Sequence, residues 1–284
     1  MTAPLEQPRR LLVLGSASSG KTTYRTQLYQ RIEHQRGELE LIKSVDDLRG
    51  MENDIERLVR GLQPMHTHLD TYEATSFSVR NRAGRALSLE FADYGGEQIL
   101  RIAQSNVVPD TWIERARQTE SWLFLLRIDP VRPDQSFMTT PVEAEHTPPP
   151  TAESPDNLSS PELDAIETIQ RLLFARGATL REPLVSPRLG LLLSCWDELP
   201  SDERSLTPLR VLQNRAPLLE QFLTNNWDSD ELTVWGLSST ERRLPETDPD
   251  AEFARKGAEH FGYLVSPDGR QTKDLTLPIG WLMS

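Results

Sequence analysis

The sequence predicts a three-layer α/β fold, in which a mostly parallel sheet carries helices on both faces. Short apolar runs typical of buried strands alternate with longer segments at helical spacing along most of the 284 residues. The first apolar run enters a loop of small residues and then a helical segment, as the first unit of a parallel sheet does. The stretch at 76–92 reads as two strands around a Gly-containing turn, which predicts one antiparallel edge strand.

Apolar patterning places the individual elements along the chain. Apolar runs predict strands at 10–15, 76–80, 86–92 and 121–130, within 188–199 and within 231–240. Helical spacing predicts helices at 20–36, 45–62, 99–107, 111–119, 161–177, 209–227 and 251–265. Residues 274–284 are apolar enough to pack against the rest of the chain.

Composition shifts suggest the domain organisation. We expect residues 1–9 to be a flexible N-terminus and 10–284 to form a single domain, with a C-terminal extension from about 241. Residues 131–160 hold six Pro and five acidic residues with little apolar material, which is typical of a disordered insertion. A plain surface loop without a role is the alternative for this segment.

The overall charge and the cysteine count restrict the classes of function. A net charge of −12 argues against direct binding to nucleic acid or to an anionic membrane. The single cysteine, Cys195, rules out a disulfide framework and favours a reducing compartment. We see neither a signal peptide nor an apolar run of membrane-spanning length, so we expect a cytoplasmic protein.

The segment LLVLGSASSGKTT contains the pattern G-x-x-x-x-G-K-[ST]. Small residues let successive backbone N–H groups surround a phosphate, and the following helix directs its positive end at the anion. Lys21 is expected to reach the β- and γ-phosphates and to serve catalysis, and the Thr22 hydroxyl to bind Mg²⁺. A Gly-Ser turn before an ordinary helix is the alternative. The predicted phosphate-binding residues are Gly15, Ser16, Ala17, Ser18, Ser19, Gly20, Lys21, Thr22 and Thr23.

A second motif, Asp93-Tyr94-Gly95-Gly96, ends the second strand of the hairpin. An Asp at the end of a strand beside the first one can hold Mg²⁺ through water, and the glycines let the backbone N–H of Gly96 approach a γ-phosphate. D-x-x-G after a hairpin is the arrangement of Ras-like GTPases, whereas many ATPases carry an acid next to this Asp. The alternative is a glycine turn without a ligand.

Two further motifs follow the later strands. In SCWDEL, Asp197 stands where the GTPase pattern [NT]-K-x-D has the acid that accepts the guanine N–H donors, while Cys195 replaces the usual Lys. Trp196 or another apolar group could cover the purine ring instead of the Lys stem. A helix N-cap is the alternative for Asp197. In WGLSST, Ser238 lies in the segment whose backbone N–H would bind guanine O6.

These four motifs stand in the order of the TRAFAC-class, Ras-like GTPases, which the chain resembles over most of 10–240. Within that class it looks most like the bacterial "double-GTPase" group associated with conflict (antiphage) gene clusters. That narrower resemblance is carried by GLQPMHT, DYGGE, SCWDEL, WGLSS and the tail GYLVSPDG…DLTLPIGWL. It implies GTP/GDP and Mg²⁺ as ligands, a protein effector or second GTPase as partner, and a role in defence.

The switch and the hydrolytic step are less closely specified by the sequence. A GTPase needs a Thr that binds Mg²⁺ and the γ-phosphate, and Thr67 and Thr71 are both candidates. Glu97 stands where Ras-like proteins carry a Gln that orients the attacking water, so it could orient water or act as a base. A favourable acid in the first turn of a helix is the alternative for Glu97.

Three functions remain open at this point. The first is a GTP-hydrolysing molecular switch, slow without its partner. The second is a P-loop ATPase or nucleotide kinase, suggested by Cys195 in place of Lys. The third is a non-hydrolysing, nucleotide-bound scaffold, suggested by Glu97 in place of Gln.

Overall fold

A mixed sheet of nine strands forms the centre of the molecule in the computed structural model, which describes residues 9–15, 18–42, 51–65, 73–93, 108, 110–131 and 160–284. Its strands are β1 (Arg9–Gly15), β2 (Leu39–Leu41), β3 (Glu73–Asn81), β4 (Ala86–Asp93), β5 (Ser121–Arg127), β6 (Arg188–Ser194), β7 (Leu232–Ser238), β8 (Tyr263–Val265) and β9 (Gln271–Thr272). They are ordered β2-β3-β4-β1-β5-β6-β7-β8-β9.

Five neighbouring strands, β4, β1, β5, β6 and β7, are parallel, and antiparallel strands flank them on both sides. The mostly parallel α/β sheet is therefore confirmed, but the expectation of one antiparallel edge strand is wrong. Besides β3, the strands β2, β8 and β9 pair antiparallel. These three have only two or three residues each, too few to show the alternation by which a strand is recognised in sequence.

Helices cover both faces of the sheet. They are α1 (Lys21–Glu33), α2 (Glu52–Val59), α3 (Asp110–Gln118), α4 (Pro161–Arg176), α5 (Ser201–Arg204), α6 (Pro208–Arg215), α7 (Pro217–Asn226), α8 (Ala251–Lys256) and α9 (Leu277–Leu282). Along β5, Trp122, Phe124 and Leu126 face a core shared with α3, α4, α6 and α7. Leu123 and Leu125 face a second core shared with α1 and α9. The alternation along one strand thus separates two apolar layers.

Two predicted helices are interrupted in the structure. The helix expected over 209–227 divides into α6 and α7 because Pro217 has no N–H to continue the ladder. The helix expected over 251–265 is wrong beyond Lys256, where Gly257 has a φ of +91°. A 3₁₀ turn (Ala258–His260) and β8 follow there instead. The predicted helix at 99–107, residues 1–8 of the predicted N-terminal segment and most of the predicted insertion, 132–159, lie outside the described residues.

The C-terminal extension packs on the helix that follows the phosphate motif. The Tyr24 hydroxyl donates to the Leu275 carbonyl oxygen at 3.0 Å, and Gln27 Nε2 donates to the carbonyl oxygens of Ala258 and Phe261 at 2.5 and 2.7 Å. Arg31 Nη2 also donates to the Phe261 carbonyl. These contacts help to bury a helix with many polar residues, because Tyr24, Gln27 and Arg31 each donate to a backbone carbonyl of the extension.

The segment 51–65 joins the same assembly through α2. Arg25 Nη2 forms a buried ion pair with Asp54 Oδ2 at 2.8 Å. Leu58 packs in a small apolar cluster with Leu244, Phe253, Ala258 and Phe261. Just after α2, the Gly61 carbonyl accepts from the Asp250 N–H at 3.0 Å. Residues far apart in the chain thus contact one another beside α1, the helix that follows the phosphate motif.

Gly61→Ala is expected to destabilise the protein by roughly 2–4 kcal/mol, because two costs add. Gly61 has a left-handed φ of +75°, which costs an L-residue about 1–2 kcal/mol. A Cβ there would also lie 2.4 Å from the Asp250 carbonyl oxygen, and such crowding costs about 1–3 kcal/mol. Gly84→Ala is the matched control, since Gly84 has a φ of +83° and open space around it. If urea unfolding gave the same loss of unfolding free energy for Gly61→Ala and Gly84→Ala, the close packing of Gly61 on Asp250 would be refuted.

No helix in the described part of the chain combines the length and the apolar character needed to cross a membrane.

Candidate functional site

The carboxyl ends of the parallel strands gather four predicted site segments at one edge of the sheet. Gly15 ends β1 and pairs with Leu125 of β5, and Ser194 ends β6 and pairs with Arg127 and Leu237 on either side. Ser238 ends β7. Open α/β sheets bind their ligands at this edge, so the topology brings together residues that are more than 200 positions apart.

Within the phosphate loop, residues 15–22, the structure describes 15 and 18–22, and three of these residues have a positive φ. Gly15 has a φ of +145°, and a Cβ there would lie 2.5 Å from the Leu125 carbonyl oxygen, so no larger residue fits. Ser18 and Gly20 are left-handed, with φ of 57° and 80°. The predicted site residues Ser16 and Ala17 lie outside the described residues.

Lys21 starts α1 and directs its side chain back over the loop. Its Nζ donates to the Gly15 carbonyl oxygen at 2.6 Å and to Ser19 Oγ at 3.3 Å. The ladder of α1 begins with the bond from Tyr24 N–H to the Gly20 carbonyl, so the preceding N–H groups have no partner within the helix. The loop thus presents an ammonium group and a helix N-terminus together, which is the donor set that a polyphosphate requires.

Thr22 and Thr23 occupy the first turn of α1 and are half-buried. The Thr22 side chain has no hydrogen-bond partner in the part of the chain that the structure describes. A half-exposed hydroxyl next to a phosphate site is a suitable oxygen ligand for Mg²⁺. The residues present therefore fit the expected ion on this side of the loop.

Asp93 ends β4 beside the phosphate loop. β1 and β4 are paired in parallel register as far as Leu12 and Glu90, and both strands continue for three more residues, to Gly15 and Asp93. The backbone of Asp93 is therefore at the same edge as Gly15; its side chain is not among the described ones. The other predicted residues of this half of the site, Thr67, Thr71, Gly96 and Glu97, lie outside the described residues.

The base turn, residues 194–198, is hydrogen-bonded to the phosphate loop. The buried Ser194 hydroxyl donates to the Ser19 carbonyl oxygen at 2.8 Å. Cys195 is left-handed with a φ of 58°, and residues 196–198 form one 3₁₀ turn. Asp197 caps no helix, because the next helix starts at Ser201 after Pro200. Its half-buried carboxylate accepts no hydrogen bond within the described residues.

Trp196 cannot cover a purine ring, and that expectation is wrong. Its side chain is 1% exposed and belongs to the core. Its ring lies directly against β7, where a Cβ on Gly236 would come within 2.5 Å of Trp196 Cε3. A Trp between a cysteine and an acid suggests a ligand contact in sequence, but the apolar surface of its ring is buried by the next strand.

Ser238 fixes the turn that follows β7. Its buried Oγ accepts from the Glu241 N–H at 2.9 Å, and Glu241 has a left-handed φ of 63°. The Ser238 hydroxyl is therefore used within the turn. The backbone of the turn remains the part suited to contact a base, as the sequence motif predicts.

Sequence reasoning missed Arg127, the last residue of β5. Arg127 Nε and Nη2 donate to Asp129 Oδ1 and Oδ2 at 2.6 and 3.3 Å, and Nη2 also donates to Glu198 Oε2 at 2.6 Å. The Cys195 Sγ and oxygens of Asp129 and Glu198 all lie within 4.8 Å of one another. The available signal was a charged residue that ends a continuous apolar strand at the ligand-binding edge.

Burial raises the pKa of the Cys195 thiol from its usual 9.0 to about 12, although the nearby Arg127 cation acts in the opposite direction. Because the folded-state pKa is the higher one, the thiol's contribution to stability is complete below pH 9 and is lost as the pH rises to about 12. Because the five tyrosines also ionise at high pH, the thiolate absorbance is taken as the difference from a Cys195→Ser variant, and it should titrate near pH 12 in the folded state and near 9 in urea. Titration of the thiol near pH 9 in both states would contradict the burial of Cys195 in the folded protein.

The family described as Double-GTPase 1 matches residues 12–282. Among solved structures, the chain is similar to a bacterial selenocysteine-specific elongation factor, EF-Sec, with 13% identity and a TM-score of 0.33 over 82% of this chain. It spans 26% of that factor's chain. No curated protein matches the sequence.

A second similar structure is the signal recognition particle receptor SRb-GTP/SRX complex from Chaetomium thermophilum. Identity is 11% and the TM-score 0.39, over 90% of this chain and 96% of that one.

Proposed function

The chain belongs to the Double-GTPase 1 family, and on this premise we propose that it is a GTP-hydrolysing molecular switch that binds GTP and GDP with Mg²⁺. The phosphate groups would be bound by the phosphate loop and by Thr23, and the guanine base would lie between Asp197 and the turn after Ser238. The observation that carries the proposal is the hydrogen bond from Ser194 to the Ser19 carbonyl, which joins the phosphate loop to the base turn.

The phosphate half of the proposed site acts through charge and position. Lys21 would exchange its present acceptors, Gly15 O and Ser19 Oγ, for oxygens of the β- and γ-phosphates. Thr22 and Asp93 would hold Mg²⁺, with Thr67 or Thr71 as a further ligand. The ion, when bound, neutralises charge that develops on the transferred phosphoryl group. Gly96 would donate its N–H to the γ-phosphate, and Glu97 would orient the attacking water.

The base half of the proposed site acts through hydrogen-bond polarity. A carboxylate is an acceptor only, and guanine presents two donors, N1–H and N2–H₂, on one edge. Asp197 is suited to read that edge because its carboxylate is half-exposed and unused by the described residues. A backbone N–H of the turn after Ser238 would complete recognition at guanine O6. Adenine offers the opposite polarity at these positions and would be rejected.

As a switch, the protein would pass its nucleotide state to a protein effector or to a second GTPase. Hydrolysis would be slow until that partner binds, because the described site contains no assigned arginine finger. We place it in the cytoplasm, without a nucleic-acid or membrane ligand, and a role in bacterial defence follows from the resemblance of its motifs.

Calorimetric titration with GTP, GDP, ATP and base-free triphosphate, with and without Mg²⁺, tests the proposal directly. We expect GTP and GDP to bind at least about a hundredfold more tightly than ATP, with GTP affinity raised by Mg²⁺. Phosphate release followed over hours then tests hydrolysis. Equal ATP and GTP affinities would instead support an ATPase or nucleotide kinase, and tight GTP binding without any phosphate release would support a non-hydrolysing scaffold.

A further inference from the structure

We propose that Arg127 is a positioning residue for base recognition, which supplies the cation that Cys195 does not supply at the base turn. This inference rests on the proposed function, in which the Asp197 carboxylate binds the guanine base. The structural basis is the Arg127 network, formed by Arg127, Asp129 and Glu198.

The Arg127 network fixes the far end of the base turn. Glu198 directly follows Asp197, and its N–H donates to the Cys195 carbonyl at 3.0 Å, which closes the turn. Arg127 Nη2 binds the Glu198 carboxylate at 2.6 Å. The near end of the turn is fixed by Ser194, whose hydroxyl binds the Ser19 carbonyl. Asp197 therefore lies between two anchored residues, one tied to the phosphate loop and the other to β5.

A second arginine anchors the loop that carries Asp129. Arg215 Nη1 donates to the carbonyl oxygens of Ile128, Asp129 and Val131 at 3.2, 2.6 and 3.3 Å. Its Nε and Nη2 hold Glu203 bidentately at 2.5 and 2.9 Å. The Asp129 carboxylate that orients Arg127 thus comes from a loop with its own buried support, so the position of Arg127 is determined from both sides.

Charge explains why a cation is required here. Asp129, Asp197 and Glu198 put three carboxylates around one turn, beside a site proposed to take a polyphosphate. Arg127 neutralises two of them through direct contacts. Without it, repulsion would push Glu198 and Asp129 apart and displace the turn that presents Asp197. Cys195 Sγ lies within 4.8 Å of both carboxylates, so a cation could also reach them from position 195.

Arginine, rather than lysine, suits this place at the end of β5. Its planar fork binds two carboxylates in fixed directions at once, whereas an ammonium is a point charge on a flexible stem. Arg127→Lys is therefore expected to keep the charge but to loosen the turn. The expected order of guanine recognition is the native protein, then Arg127→Lys, then Arg127→Gln.

The test compares GTP with base-free triphosphate and ATP as probes. Arg127→Gln should weaken GTP binding about tenfold or more, as loss of a charge-assisted hydrogen bond does, and should reduce the GTP-to-ATP preference. Triphosphate affinity should stay unchanged, because the phosphate loop is intact. Adding Cys195→Lys to Arg127→Gln should recover part of the GTP affinity by restoring a cation beside Asp129 and Glu198.

Arg188→Gln is the matched control. Arg188 begins β6 at the opposite edge of the sheet and pairs with Glu231 at 2.8 Å, with exposure similar to that of the Arg127 pairs. The Arg188→Gln substitution should lower the melting temperature without changing the ratio of GTP affinity to triphosphate affinity. Arg127→Lys provides a second, conservative variant in case Arg127→Gln does not fold.

Two results would overturn the inference while leaving the proposed function intact. One is a folded Arg127→Gln or Arg127→Lys variant with native GTP affinity and native GTP-to-ATP preference. The other is an equal loss of GTP and triphosphate binding, which would mean that Arg127 supports the whole site rather than the base turn. Native protein that binds ATP as well as GTP would refute the proposed function itself.

Discussion

Lys21→Ala is expected to reduce nucleotide affinity by at least about a hundredfold, which is roughly 3 kcal/mol of binding free energy. The ammonium lies over the phosphate loop, 2.6 Å from the Gly15 carbonyl oxygen, so it is already positioned where a polyphosphate would need its counter-charge. Its loss removes a charge-assisted contact that no neighbouring side chain in the described part of the chain replaces. Calorimetry with GTP and with base-free triphosphate measures the effect, and both ligands should lose affinity equally.

Lys256→Ala is the control for Lys21→Ala. Lys256 is exposed, pairs with Glu252 within α8 and lies far along the chain from the phosphate loop. Nucleotide affinity should be unchanged in this variant. Native GTP affinity in a folded Lys21→Ala variant would show that the loop between 15 and 22 is not a phosphate site.

Asp197→Asn is expected to reverse the choice of base. The amide donates where the carboxylate only accepted, so guanine would meet donors opposite its own donors and lose about a hundredfold in affinity. Xanthine carries an oxygen in place of the guanine amino group, and that oxygen accepts from an amide. Xanthosine triphosphate should therefore bind the variant more tightly than GTP does. Competition between the two nucleotides gives the ratio directly.

Asp202→Asn controls for the loss of one nearby carboxylate, because Asp202 is exposed in α5 only five residues further on. It should leave the preference for GTP unchanged. An Asp197→Asn variant that still prefers GTP over xanthosine triphosphate would remove Asp197 from the base site, whatever its overall affinity.

The phosphate loop was predictable from sequence because its geometry excludes most residue types. Gly15 has no room for a Cβ beside the Leu125 carbonyl, and Gly20 is left-handed, so the required residues appear as a fixed spacing. The central strands were also predictable, since strands buried on both faces, such as β5, form continuous apolar runs. Local physical constraints of this kind are visible in a single sequence.

The base turn was only partly predictable because its contacts are not local. Asp197 stands at a recognisable position, but the burial of Trp196 depends on Gly236 in the next strand. Arg127 acts on Glu198 across 71 positions of sequence. Similarly, the burial of Arg25 and Arg31 in α1 depends on α2 and on the C-terminal extension, whose β8 and β9 are too short to be recognised. Such pairings follow from topology rather than from spacing.

The hydrogen bonds between α1 and the C-terminal extension have a consequence for biosynthesis. Tyr24 finds its acceptor 251 residues later, at Leu275, and Gln27 finds its own at Ala258 and Phe261. A nascent polypeptide therefore cannot complete the surroundings of α1 until residue 275 has been synthesised. Until then, the polar face of α1 that is buried in the folded protein remains exposed to water. Ribosome-bound chains truncated before residue 258 should therefore not retain guanine nucleotide.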